Sequence, residues 1–265
     1  MSWALFLLAT VSLSPSLATW KESIEKTGKI AVVLLRLPAT AQTAVLALPG
    51  DILEREALAN YTDQPGFVAQ YRGAQAMTVN YLGSKGRVSF VLVNPEHAGT
   101  GAAEEAVIAH EFGHIWLKAQ RYPAPVYAGG EAACLSVHAL DAVQHILIRE
   151  EMERRGVAWK APWHAALGVA LAQMESEPGA AAKVGRCQAL GQAAMWIDVA
   201  LGAGDWVRQR DFLAAMRRRF PKMVSAAEEI TAYLRSAGVE DIARHRAALG
   251  FVFGRMKQLA LSVSL

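Results

Sequence analysis

The apolar positions of the chain change character near Ala102. Before it they gather in short β-branched runs, and after it they spread through long Ala-rich segments. KIAVVLLRLP (29–38) and QTAVLALPG (42–50) end in Pro and Gly and predict strands, whereas ILEREALAN (52–60) predicts a short helix. AQAMTVNYL (74–82) and RVSFVLVN (87–94) flank Gly83-Ser84-Lys85-Gly86, a connection short enough to close a hairpin. From Ala102 onward, helices are expected at 102–120, 125–155, 161–175, 181–202, 205–219, 222–236 and 238–262. Pro178-Gly179 and Phe220-Pro221 punctuate them. The pattern predicts an α+β protein, with a small N-terminal β-sheet lobe followed by a helical C-terminal lobe.

The N-terminus reads differently from either half. An apolar run from Trp3 to Val11 is followed by Pro15 and by Ser16-Leu17-Ala18, the outline of a signal peptide cleaved after Ala18. The run is too short to span a bilayer core of about 30 Å, so an uncleaved anchor ranks second and a buried N-terminal helix third. The expected organisation is residues 1–18 as signal peptide, 19–120 as the β-containing lobe and 121–265 as the helical lobe. The mature protein is expected to be exported, periplasmic or extracellular, without a stable membrane span.

Composition adds limits. Of 265 residues, 53% are hydrophobic and 19% charged, which fits a globular chain with a large core. The formal charge of +3 comes from dispersed Lys and Arg, and Arg217-Arg218-Arg219 reads as a solvated helix end, so no nucleic-acid partner is expected. Cys134 and Cys187 would pair in an oxidising compartment; two small buried residues are an equal alternative. His97 and His164 read as surface or packed histidines and His245 as solvated, while Trp159, Trp163, Trp196 and Trp206 read as helical core.

The candidate chemistry lies in VIAHEFGHIW (107–116), whose inner residues His110-Glu111-Phe112-Gly113-His114 fit H-E-x-x-H. Residues four apart share one face of a helix, so His110 and His114 can offer two imidazole nitrogens to one ion, with Glu111 beside them. Two neutral His ligands leave positions for a third protein ligand and a water whose pKa zinc lowers towards ~7. Glu111 is then the candidate general base. Glu104 and Glu105 fall in the first turn of this helix, where its dipole favours negative charge, and Lys118 lies near its end.

With Val107 three residues before the first histidine, this stretch resembles the zincin metallopeptidases, over little more than the helix and its flanks. The resemblance implies a zinc-dependent hydrolase acting on a peptide or protein. It also implies a central active-site helix, with RVSFVLVN as an edge strand that receives extended substrate. His114 is followed by IWLKAQR, which excludes the metzincin extension, and the gluzincin form implies Glu131 as third ligand. Leu135 stands where the thermolysin-like pattern has Asp. On the helix expected there, Glu131, Cys134, His138, Asp141 and His145 share one face, spread over roughly 21 Å at 1.5 Å per residue. His138 is therefore a rival ligand, with Asp141 behind it, and either is also a candidate partner for a ligating histidine. Tyr122 and Tyr127 are candidates for stabilising a transition state or for simple packing. A catalytically inactive, zinc-bound scaffold that binds a partner in the cell envelope is the alternative function.

Overall fold

The computed structural model describes residues 12–37, 71–83, 86–124, 130–176 and 184–263. The expected strand at 42–50, the helix at 52–60, the apolar run from Trp3 to Val11 and Tyr127 lie outside these residues. The fold is mixed α+β and mostly helical, in two compact units: Met1–Gln120 with Met152–Trp159, and Arg121–Glu151 with Lys160–Leu265.

The first unit opens with helix α1 (Pro15–Gly28). Ser14 caps it through its side chain and Pro15 takes the first helical position, where a missing N–H costs nothing. Leu17, Trp20 and Ile24 recur along one face and are buried. Ser16 Oγ donates to the Arg155 carbonyl at 2.8 Å. Ala18, the position expected for cleavage, falls inside this helix. Lys29, at φ 50°, turns the chain into strand β1 (Ile30–Arg36).

Strands β2 (Ala76–Gly83) and β3 (Gly86–Val93) form the hairpin, and the described sheet has the order β1-β3-β2. β3 pairs parallel with β1, from Ile30↔Arg87 to Arg36↔Val93, and antiparallel with β2. The expectation that RVSFVLVN is an edge strand is thus corrected: it is central, and Phe90 to Val93 are buried. Among the described residues β2 occupies the edge instead.

Helix α2 (Ala102–Ala119) packs on β2, β3 and α1. Ile108, Phe112 and Ile115 form its buried face, and Trp20 meets Phe112 edge-on at 6.2 Å between ring centroids. Gly28 permits the close approach of α1, because a Cβ there would sit 2.9 Å from the Ala119 Cβ.

The described elements of the second unit are all helices: α3 (Gly130–Arg154, to residue 151 within this unit), α4 (Lys160–Ser176), α5 (Arg186–Gly202), α6 (Gln209–Arg219), α7 (Pro221–Ala237) and α8 (Ile242–Ser262). α7 packs on α5 and α8, and α6 on α4, α5 and α7. Cys134 is bonded to Cys187, a separation of 53 residues, and His145 meets Asp198 at the same separation. His138 lies against Gly191 and Arg149 against Gly202, again 53 apart in each case. A constant offset means that α3 and α5 run parallel and in register. His245, expected in solvent, is fully buried on α8, edge-on to Tyr122 at 4.9 Å. No described helix is long and apolar enough to cross a membrane.

Candidate metal centre

On α2 the buried and chemical faces separate cleanly. Ala109, Phe112, Gly113 and Ile115 are buried, whereas His110, Glu111, His114 and Lys118 form a partly exposed stripe. His110 Nε2 and His114 Nε2 lie 3.2 Å apart, with the rings edge-on at 4.9 Å between centroids. Two nitrogens bound tetrahedrally to one zinc ion at about 2.0–2.1 Å would be about 3.3 Å apart, so this donor pair fits that ion. His110 and His114 on α2 each carry a ring nitrogen able to hold a metal ion.

Glu111 is held from the sheet. Thr78 on β2 donates its hydroxyl to Glu111 Oε2 at 2.6 Å. The helix itself is fixed at its N-terminal end, where Gly101 provides no side-chain cap. Arg36 on β1 donates Nε to Glu104 Oε1 at 2.7 Å, and Ser14 donates to Glu105. These carboxylates sit in the first turn, where they also meet the positive end of the helix dipole. One turn beyond His114, burial pushes the Lys118 amine below its ordinary value, and Arg87 acts in the same direction.

The helical unit arranges the other expected residues along α3. Glu131 is the second residue of the helix, and its side chain lies outside the described residues. Cys134 is joined to Cys187. His138 packs on Gly191, and burial holds its basicity below the ordinary value although Asp141 opposes this. Asp141 Oδ1 stands 3.6 Å from His145 Nε2.

His145 on α3 and Asp198 on α5 make a polar contact between the two helices. His145 Nδ1 lies 2.8 Å from Asp198 Oδ2, and Arg149 donates Nη1 to Asp198 Oδ1 at 3.0 Å. Burial alone would weaken both ionised forms. The mutual attraction outweighs it, holding His145 above its ordinary value and, with Arg149, Asp198 well below the carboxylate range. Tyr122 donates to the Glu240 carbonyl at 2.6 Å and packs on His245, which gives it a structural role within the helical unit.

Sequence reasoning did not find Thr78 or Asp198. Thr78 is an ordinary strand residue 33 positions from its partner, and nothing local marks it. Asp198 did leave a trace, a lone carboxylate in the apolar run AAMWIDVAL. No protein-family model, no characterised protein and no solved structure matches this chain.

Proposed function

We propose that this chain is an exported zinc-dependent metallopeptidase, of gluzincin-like type, in which His110 and His114 bind the ion and Glu111 is the general base. One observation carries the reading: two imidazole nitrogens on one helix face stand 3.2 Å apart, with a carboxylate between them in sequence that a strand hydroxyl holds. A third ligand completes the reading, and two residues of the helical unit are candidates for it. Glu131 is the residue the resemblance implies, whereas the contacts within the helical unit favour His145. A carboxylate on one ring nitrogen sets the tautomer and orientation of a metal-ligating histidine, and Asp198 stands in that relation to His145.

Zinc bound there would supply a Lewis acid and a water of lowered pKa. The chain's own residues do the rest. Thr78 fixes Glu111 through Oε2, so the second oxygen is the one that takes the proton of the attacking water and returns it to the departing amine nitrogen. Among the described residues β2 pairs only with β3, which leaves the strand that carries Thr78 with an open edge. An extended peptide adding to that edge is the substrate shape that suits it. The disulfide between Cys134 and Cys187 supports an oxidising, exported location.

The test is metal content and cleavage of a broad peptide library. Wild type should hold zinc at one per chain in the α2 site and cleave peptides. Glu111→Gln should keep the metal and lose cleavage; equal activity in the two, or none in zinc-loaded wild type, would sink the peptidase reading and leave a zinc-bound scaffold. Glu131→Ala and His145→Ala decide the third ligand, since only loss of the true ligand releases the metal.

A further inference from the structure

We infer that Cys134, Cys187 and His138 form a second, thiolate-rich zinc site when their disulfide is reduced. The two Sγ atoms and a ring nitrogen of His138 all lie within 4.8 Å of one another. Cys134 and His138 are one turn apart on α3, so both project towards Cys187 on α5. Two thiolates and an imidazole are a donor set that zinc prefers, with a fourth tetrahedral position left for water.

Opening the sulfur–sulfur bond does not by itself part these residues. The register of α3 on α5 is held two turns further along by His145 and Arg149 on Asp198, neither of which involves a cysteine. Gly191 provides the space for the ring: a Cβ there would lie 3.3 Å from His138 Cε1 and would crowd it. Cys187 is exposed, and both cysteines line a cavity of about 180 Å³ bordered by Arg186 and Lys257. That cavity admits a reductant, the ion and its water, and the two cations favour thiolate over thiol.

The chemistry balances simply. A dithiol gives two electrons and two protons to the disulfide, closing its own disulfide as the two protein thiols form. Zinc then displaces both thiol protons to solvent. This site shares no ligand with the α2 histidines, so it stands or falls apart from the peptidase reading.

Cobalt(II) is the probe, added to the full-length chain either oxidised or reduced with a phosphine, which takes its oxygen from water. The reduced wild type should bind one more equivalent than the oxidised form and show a thiolate-to-cobalt charge-transfer band. The band should survive His110→Ala/His114→Ala. In His138→Ala the cobalt affinity should fall by more than roughly tenfold, since a direct ligand outweighs the outer partners whose loss costs about that much. Equal uptake in both redox states, or a band indifferent to His138→Ala, would overturn the proposal. So would loss of the far-UV helical signal on reduction, because the site depends on the α3–α5 register surviving.

Discussion

Thr78 on β2 donates to Glu111 Oε2 at 2.6 Å, so the carboxylate placed between two metal-type histidines is positioned by the sheet as well as by its own helix. A hydrogen bond to a charged group is worth about 1.5–3 kcal/mol. If Glu111 is the general base, Thr78→Val, which keeps the shape and removes the donor, should lower kcat by roughly ten- to a hundredfold. KM and zinc content should stay near wild type. An unchanged kcat would mean that the helix alone orients Glu111.

The burial of α1 makes a second prediction about the N-terminus. A chain starting at Thr19 loses the Ser14 cap, the Ser16 contact with the Arg155 carbonyl and the buried Leu17. Burying a leucine contributes about 1.5–3 kcal/mol and a helix cap about 1 kcal/mol. Denaturant unfolding should therefore show a clear loss relative to a chain starting at Leu13. Equal midpoints would show that the first turn of α1 adds nothing, and that cleavage after Ala18 is tolerated.

Local pattern carried much of the helical architecture. The segment expected at 102–120 forms Ala102–Ala119, and that at 222–236 forms Pro221–Ala237, because Ala-rich sequence and a proline at the start act within one or two turns. The start at 238 moves to Ile242, where the Asp241 cap rather than apolar periodicity decides the boundary. Strand order was not legible. Periodicity identifies RVSFVLVN as a strand, but pairing with Ile30–Arg36 joins residues far apart in sequence, and that placed it in the centre. His245 was misjudged from its neighbours Arg244 and Arg246. Its helical stripe, running through Leu249, Val252 and Met256, is apolar and buried, and that face sets its environment. The histidine pair on α2 was legible because its geometry is contained in one turn. Thr78 and Asp198 were not, since each reaches its partner, Glu111 or His145, through tertiary packing.

His245 also predicts a pH dependence. Burial lowers its pKa from 6.5 to about 4, with the Pro123 carbonyl opposing. The unfolded chain therefore binds a proton that the native chain refuses between these values. Stability from this group is complete above about pH 6.5 and is lost as pH falls towards 4. His245→Leu removes that term. The stability of the variant relative to wild type should rise by about 3 kcal/mol between pH 7 and pH 4. A constant difference across that range would mean that the ring is protonated, or reached by water, in the native state.

Closing a loop of 53 residues, the Cys134–Cys187 bond should contribute up to about 4 kcal/mol by restricting the unfolded chain. Reduced wild type and the Cys134→Ser/Cys187→Ser variant should lose similar stability in metal-free solution while keeping helical content, because His145 and Arg149 still fasten α3 to Asp198. The two should part when zinc is added. Only the reduced wild type retains thiolates to bind it, and an ion held by the folded form alone raises stability with its concentration. Parallel unfolding curves with and without zinc show the difference directly. A zinc-dependent rise in the midpoint confined to the reduced wild type places the ion at the cysteines, whereas the same rise in both chains assigns the effect to the α2 histidines.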